Sequence, residues 1–329
     1  WGVADGDLLG GHTKPATTIE SGEIDAWSKM TALPEAFGHS PAAVYNNMIY
    51  MAGGEGPPAH IRTQVYYAPL NPDGSIGPWR ETTRLPEPIH YHATVATNGY
   101  LYVIGGYHDG ELSDVVYRAR INADGTLSQW MRTTYLPTRL GAPAAFAKSN
   151  RIYVLGGYSG DRAETAVYFA TVTSDGDLSG WRATAPLPEP LSFFSVVEWE
   201  GKLYVIAGWP GEHDVWSSRV YRATIAADGE VLGWAATTPL PRAMGNHVAT
   251  VSAGFLYVFG GLSGKSQAWS FYAPILGDGR LGDWRKTASL PVPIHDHSAV
   301  AWRDKIYILG GFSDDLGRYQ SSVYVAQPQ

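Results

Sequence analysis

The chain has 329 residues, of which 44% are hydrophobic and 17% charged, and it carries a net charge of −7 with no cysteine. A chain of this length and composition can bury a large core, and a single β-domain of this size is ordinary. The negative charge argues against a nucleic-acid-binding protein, no apolar run is long enough to span a membrane, and the lack of cysteine excludes disulfides, thiolate metal sites and cysteine nucleophiles.

The first 20 residues do not share the pattern of the rest of the chain. Residues 1–20 lack regular alternation and predict an N-terminal arm, whereas residues 21–329 predict one repeat domain. The chain begins at Trp1 without a methionine. We therefore expect a signal peptide that has been removed or is left out of this sequence, and an extracellular or periplasmic protein.

A unit of about fifty residues then recurs along the chain. Each unit has a tryptophan, a Leu-Pro pair six residues later, and a pair of small residues that closes an apolar run. The tryptophans are Trp27, Trp79, Trp130, Trp181, Trp234 and Trp284. The small pairs are Gly53-Gly54, Gly105-Gly106, Gly156-Gly157, Ala207-Gly208, Gly260-Gly261 and Gly310-Gly311.

Each unit predicts four antiparallel strands, which we name a to d in chain order. In one unit these are residues 92–97, 100–106, 114–121 and 126–130, with hairpin turns at Asn98-Gly99 and Asp124-Gly125. Six such units predict an all-β, six-bladed propeller. Because the first copy holds only strand d (22–29) and the last runs through strand c (321–327), we expect these two segments to pair and close the ring.

These motifs resemble the Kelch repeats of the galactose-oxidase/Kelch superfamily. The resemblance rests on the small pairs, the strand b tyrosines and the tryptophans, and it covers residues 21–329. It implies a propeller without fixing an activity, since Kelch-like propellers include copper-radical oxidases, sugar mutarotases, lyases and protein-binding scaffolds. The oxidase chemistry would need a cysteine–tyrosine crosslink, which this chain cannot form.

The histidines predict where a site lies. In an antiparallel blade the b–c loops and the d-to-a connections lie on one face, which we call the mouth. Of the ten histidines, all but His12 fall in these segments, His213 and His60 in b–c loops among them. The mouth is therefore the candidate functional face.

The eight residues after each Leu-Pro, here called the entry segment, read EAFGHSPA, EPIHYHAT, TRLGAPAA, EPLSFFSV, RAMGNHVA and VPIHDHSA. Because strand side chains alternate, positions four and six are expected to point together into the channel mouth. The candidate catalytic residues are His90, His92, His295, His297, Tyr91 and Asp296. Candidate ligand contacts from the same segments are His39, His247, Asn246, Ser192, Phe194 and Arg139.

Three interpretations of the histidines remain open. They are polar lining of a wet channel mouth, ligands of a divalent metal with His92, His247 and His297 as the candidate set, or acid–base groups acting on a polar small molecule. Tyr91 is a candidate acid or oxyanion donor, and Asp296 a candidate partner that orients His295 or His297. As loop groups, His92 and His297 are expected to contribute little to stability.

Aromatic residues follow the small pairs in the b–c loops. Tyr107, Tyr158 and Trp209 are expected to stack on a sugar ring or another flat ligand. The sequence thus favours binding, with possible turnover, of a polar small molecule or glycan, for example in sugar-acid or polysaccharide processing. The alternatives are a histidine-ligated metal enzyme and a non-catalytic scaffold that presents the same loops to a protein partner.

Overall fold

The computed structural model describes residues 2–3, 21–57, 60–212 and 215–329. Most of the predicted N-terminal arm, including His12, and the loop residue His213 lie outside the described residues. Within the part described, no helix is long and apolar enough to cross a membrane.

Six four-stranded antiparallel sheets form the blades, each with strand order a-b-c-d. Blades one to three comprise Ala42–Tyr45, Met48–Ala52, Val65–Pro69 and Arg80–Glu81; Ala93–Thr97, Tyr100–Ile104, Val116–Arg120 and Met131–Arg132; and Ala144–Lys148, Arg151–Leu155, Val167–Thr171 and Arg182–Ala183. Blades four to six comprise Ser195–Trp199, Lys202–Gly208, Ser217–Ile225 and Val231–Thr237; Val248–Ser252, Phe255–Phe259, Ser270–Pro274 and Arg285–Lys286; and Ser298–Trp302, Lys305–Leu309, Val323–Ala326 and Ser28–Lys29.

Additional short strands form small sheets outside the six blade sheets. Four pairs or triplets lie in the b–c loops and entry segments: Glu55–Gly56 with His60–Ile61, Ile89–His90 with Tyr107–His108 and Glu111–Leu112, Leu262–Ser263 with Lys265–Ser266, and Phe312–Ser313 with Arg318–Tyr319. A further strand, Gly2–Val3, pairs in parallel with strand a of blade three and lies beside the innermost strands of blades one, two and four. Gly2 and Val3 therefore lie inside the ring.

The outer strands differ from the sequence prediction. Strand d of blade two was predicted at residues 126–130, but the ladder forms at Met131–Arg132, directly after Trp130. Only a single bridge, Ile121 to Leu127, lies in the predicted stretch. The indole of Trp130 donates instead to the Thr83 carbonyl of the preceding blade, so the tryptophan joins neighbouring blades.

The two ends of the chain complete one blade, as predicted. Ser28 lies opposite Val325 and Lys29 opposite Tyr324, so the N-terminal segment supplies the outer strand of blade six. Around the inside of the ring, strand a of every blade contacts strand a of both neighbours, including that of blade six against that of blade one.

A repeated hydrogen bond ties each blade to the next. The buried strand b tyrosine of each blade donates its hydroxyl proton to the glycine carbonyl of the c–d turn in the following blade. The pairs are Tyr50 with Gly125, Tyr102 with Gly176, Tyr153 with Gly229, Tyr204 with Gly279, Tyr257 with Gly22 and Tyr307 with Gly74. Since Gly22 precedes strand d of blade six, the bond from Tyr257 also anchors the N-terminal segment.

The small pairs allow the chain to turn at the mouth end of strand b. Gly105 and Gly106 have φ values of 62° and 90°, which are strained for residues with a side chain. A Cβ on Gly106 would lie 2.6 Å from the carbonyl oxygen of His90, so the chain passes too close there for any other residue. This turn holds each b–c loop against its entry segment.

Candidate functional site at the mouth of the propeller

The entry segments and b–c loops meet at the mouth in all six blades. In each blade, position four of the entry segment pairs with the residue that follows the small pair. The pairs are Gly38 with Glu55, His90 with Tyr107, Gly141 with Tyr158, Ser192 with Trp209, Gly245 with Leu262 and His295 with Phe312. Residues far apart in sequence are thereby brought to one rim.

Position five of each entry segment adopts a left-handed backbone. The φ values are 52° at His39, 51° at Tyr91, 45° at Ala142, 54° at Phe193, 51° at Asn246 and 54° at Asp296. Backbone N–H groups at this position donate to position-five carbonyls of the preceding blade, from His39 to Asp296, Ala142 to Tyr91, Asn246 to Phe193 and Asp296 to Asn246. These bonds form a partial belt around the propeller axis, which joins four of the six adjacent pairs of blades.

The left-handed residue breaks the strand alternation, so positions four and six do not point to the same place. Position six enters the interface between blades. A Cβ on Gly260 of blade five would lie 2.5 Å from His297 Cε1, and one on Gly156 of blade three 2.8 Å from Phe194 Cε1. His92, His247, His297 and Phe194 are all 0–2% exposed. The expectation that these residues line the mouth is therefore wrong.

Burial determines the charge of these three histidines. It lowers the pKa of His92, His247 and His297 to about 3 each, so the rings are neutral at physiological pH. Each ring faces a backbone carbonyl of strand b in the preceding blade, at Ala52, Ile206 and Phe259 respectively. Since Phe194 fills the same position in blade four, the position serves packing between blades.

The side chains that do converge alternate between imidazole and carboxylate. His295 Nε2 lies 3.2 Å from Asp296 Oδ2, and Asp296 Oδ1 lies 3.2 Å from His39 Nδ1. His39 Nε2 lies 4.0 Å from Glu55 Oε2, and the same oxygen lies 3.5 Å from His90 Nδ1. We call these five residues the imidazole–carboxylate arc. It runs through blades six, one and two.

Two tyrosines cover the arc. The ring centroids of Tyr91 and His39 are 3.9 Å apart, and Tyr91 also contacts Phe193 at 5.6 Å across the mouth. Tyr319 packs edge-on to His39 at 6.4 Å. Burial raises the pKa of both phenols, and a hydrogen bond to Glu55 contributes for Tyr319. Both hydroxyls therefore remain protonated donors at neutral pH.

The pKa of His90 is lower in the folded protein than that of a histidine in water. Burial, followed by the nearby His39, lowers the pKa of His90, although Glu55 acts in the opposite direction. A neutral His90 has one ring nitrogen free to accept a proton. The arc thus combines carboxylates that accept hydrogen bonds with a neutral imidazole, His90, that can accept a proton.

The other half of the mouth is aromatic. Tyr107, Tyr158 and Trp209 are half-buried, and the rings of Tyr158 and Trp209 lie 6.0 Å apart. Ser192 is fully buried beneath Trp209, to which its backbone pairs. Asn246 is buried in the belt, and Arg139 is exposed on the entry segment of blade three.

Comparison with known proteins supports this architecture. The model of the KLHDC2/KLHL20/DRC7 Kelch-repeats domain matches residues 91–265, just over half of the chain, and a Kelch motif matches residues 293–325. The chain belongs to the Kelch-repeat family. The solved structure entitled "Structure of YjhT" superposes with a TM-score of 0.71 at 16% identity, over 89% of this Kelch chain and 95% of the other.

Curated relatives carry the same repeats within longer proteins. Kelch repeat and BTB domain-containing protein 12 of Danio rerio is 33% identical over 42% of this chain and 25% of its own length. Kelch-like protein 36 of Mus musculus is 24% identical over 69% of this chain and 36% of its own length. Beta-scruin of Limulus polyphemus is 25% identical over 56% and 20% respectively. The matched part is thus about a fifth to a third of these relatives.

The metal interpretation is not supported by the Kelch propeller. Across residues 21–57, 60–212 and 215–329, no three His, Cys, Asp or Glu side chains are grouped so as to hold a metal ion. His92, His247 and His297 each lie in a different blade interface. Their burial between blades prevents them from converging on one ion.

Sequence reasoning missed four residues of the Kelch mouth. Glu55, Ser266, Asp314 and Tyr319 come from b–c loops, whose lengths vary between blades. Glu55 left a signal, because it alone is acidic at the place after the small pair. Position five left another, because His39, Asn246 and Asp296 are of the types that adopt a left-handed backbone most readily.

Proposed function

We propose that this Kelch propeller binds a polar small molecule or glycan at its mouth and transfers protons on it. The observation that carries the proposal is the imidazole–carboxylate arc, which faces an aromatic half of the same opening. A pyranose ring has an apolar face that suits aromatic stacking and hydroxyl groups that suit carboxylate and imidazole acceptors.

The residues divide into roles. Tyr107, Tyr158 and Trp209 stack on the ligand, while Glu55 and Asp296 accept its hydroxyl protons. His90 acts as a base, because its pKa is lowered and its ring is partly exposed. Tyr91 and Tyr319 donate hydrogen bonds to developing negative charge, since their raised pKa values keep both phenols protonated.

Binding can be tested with a matched set of probes. We would record saturation-transfer difference NMR spectra with glucose, glucosamine, glucuronic acid and a mixture of short oligosaccharides. Trp209→Ala removes the stacking surface and Glu55→Gln removes an acceptor of the arc while keeping its shape. The control is His60→Gln, in the same b–c loop as Glu55 but with an exposed side chain.

We expect Trp209→Ala and Glu55→Gln each to weaken binding about tenfold or more, and His60→Gln to leave it unchanged. Thermal unfolding of each variant establishes that the fold is retained. No binding of any probe by the parent, or equal binding by parent and arc variants, would contradict the proposal.

A protein-binding scaffold is the second candidate. It is favoured by family membership, since the matched relatives are much longer and one is named for an additional BTB domain. In that case a purified protein partner would bind the parent with micromolar or better affinity and lose it with Trp209→Ala. Glu55→Gln would leave that affinity unchanged, because Glu55 lies in the half of the mouth opposite Trp209 and glutamine keeps its shape.

A further inference from the structure

The centre of the arc is covered. His39 is 5% exposed and Asp296 is 3% exposed, and the Tyr91 ring lies 3.9 Å from the ring of His39. A ligand cannot reach either residue while this cover is in place. The proposed function, in which Asp296 accepts a hydroxyl proton from the ligand, therefore requires that part of the mouth moves.

We propose that Tyr91 and Phe193 form an aromatic gate, which swings aside to admit a ligand to His39 and Asp296. The two residues occupy position five in blades two and four, and their rings meet edge to face with centroids 5.6 Å apart. The gate rests on the proposed function for its purpose, because it controls entry to the same site.

Both gate residues have an unfavourable backbone conformation. Tyr91 and Phe193 have φ values of 51° and 54°, in the left-handed region that bulky side chains rarely adopt. Asn246 and Asp296 hold the equivalent conformation with side chains that tolerate it better. Strain of this kind concentrates at ligand clamps and switch regions. The turn itself does not favour aromatic residues here, so the rings have another role.

The same two residues interrupt the belt. In the other four blades the position-five N–H donates to the position-five carbonyl of the preceding blade. Neither the Tyr91 N–H nor the Phe193 N–H makes this bond. The backbone at each gate residue is therefore held less firmly than at the equivalent position of the other blades. A side chain that moves needs such local freedom.

Ring contacts hold the Tyr91 side chain in place. Its hydroxyl has no hydrogen-bond partner among the residues that the structure describes. Tyr319, the other tyrosine over the arc, is held both by a hydrogen bond to Glu55 and by ring contact with Phe312 at 5.0 Å. Tyr91 is therefore the cover that moves, and Tyr319 the cover that stays.

Phe193 fixes the closed position of Tyr91. Position five of the intervening blade three is Ala142, whose small side chain leaves the two rings room to meet. Within the described part of the chain, the ring contacts of His39 are with His90, Tyr91 and Tyr319, and not with Phe193. Removal of the Phe193 ring should thus expose His39 indirectly, because it releases Tyr91.

Access to His39 can be measured without a ligand. Diethyl pyrocarbonate modifies imidazoles that solvent reaches, and peptide mass spectrometry gives the rate for each histidine. The main variant is Phe193→Asn, since blade five has asparagine at the equivalent position. We expect His39 to react about tenfold faster in this variant than in the parent, because the fraction of open molecules sets the rate. Phe193→Leu, which keeps an apolar side chain, should give a smaller increase.

The control is Tyr158→Ala, which removes an aromatic ring of the same mouth that contacts Trp209. It should leave the His39 rate unchanged. Within each protein, the exposed His60 and the buried His297 give the fast and slow limits of the reaction. Thermal unfolding of Phe193→Asn should be close to that of the parent, because the strain that asparagine relieves offsets the ring contacts that it removes.

Equal His39 rates in the parent and both Phe193 variants would overturn the gate. An increase of the same size in Tyr158→Ala would overturn it as well, because it would show that any loss of a mouth ring loosens the site. If Phe193→Asn does not fold, Phe193→Leu gives the deciding comparison. Since the assay contains no sugar, failure of the gate is distinguishable from failure of the proposed function, which the ligand-binding spectra decide.

Discussion

The three histidines between blades should make the stability of the propeller depend steeply on pH. His92, His247 and His297 have pKa values of about 3 in the folded protein, against 6.5 for an unperturbed histidine. The proposed perturbation replaces all three with phenylalanine. Blade four provides the precedent, because Phe194 occupies the equivalent position and is fully buried.

The direction of the pH dependence of stability follows from the lowered pKa values of the three histidines. Above pH 6.5 the rings are neutral in both the folded and the unfolded chain, so they impose no pH dependence. Below pH 6.5 the unfolded chain takes up protons that the folded chain does not bind, and the free energy of unfolding falls. The slope is about 1.4 kcal/mol per pH unit for each ring, until the pH approaches the folded pKa.

Three rings together should lower the free energy of unfolding by about 4 kcal/mol between pH 7.5 and pH 5.5. The assay is equilibrium denaturant unfolding followed by tryptophan fluorescence at several pH values in that range. The triple variant should lose about 4 kcal/mol less than the parent over the same interval. The other titrating groups, His90 among them, are present in both proteins, so their effects cancel in the difference.

Parallel loss of stability in parent and variant would refute the reasoning, because it would mean that the rings titrate normally in the folded protein. If the triple variant does not fold, the single variants serve instead. Each should recover about a third of the effect.

Three further predictions concern the architecture. Gly106→Ala should destabilise the protein by about 3 kcal/mol or more, because a Cβ there meets the His90 carbonyl. Gly99→Ala should cost only about 1 kcal/mol for its left-handed φ, because nothing lies within 4 Å of its Cβ. Thermal unfolding of the two variants distinguishes these costs. Tyr257→Phe should cost about 1 kcal/mol through its lost bond to Gly22, measured by urea unfolding, and no loss would show that this bond is not formed. Removal of residues 1–29 should lower the midpoint of thermal unfolding strongly, because blade six loses its outer strand. Removal of residues 1–17 should lower the midpoint far less. Equal effects of the two deletions would contradict the pairing of the chain ends.

The blade architecture could be predicted because each of its determinants repeats. Alternating apolar residues, turn glycines and the strand b tyrosines recur in every unit, so an element that is hard to recognise in one unit is recognised from the same position in the others. The terminal pairing could be predicted as well, since the first unit has only strand d and the last unit has every strand except strand d. The outer strands were misplaced because their ladders are only two residues long in most blades.

The site was only partly predictable. Five residues that the sequence singles out do lie together: His39, His90, Tyr91, His295 and Asp296. Four others are expected at the mouth only if strand side chains alternate regularly: His92, His247, His297 and Phe194. A left-handed residue at position five reverses that alternation. Contacts between blades, such as Ser266 with His295, depend on loops without a shared register and leave no periodic trace in the sequence.

The shared blade also has a consequence during synthesis. Ser28–Lys29 leaves the ribosome roughly 300 residues before strand c of blade six, its partner, is complete. At about 5–20 residues per second this segment waits roughly 15 to 60 seconds without a neighbour, while five other blades can form. An unpaired strand is a hazard for aggregation, and charged side chains reduce it. Glu23, Asp25 and Lys29 provide such charges, so the segment that completes the ring last is able to remain in solution until then.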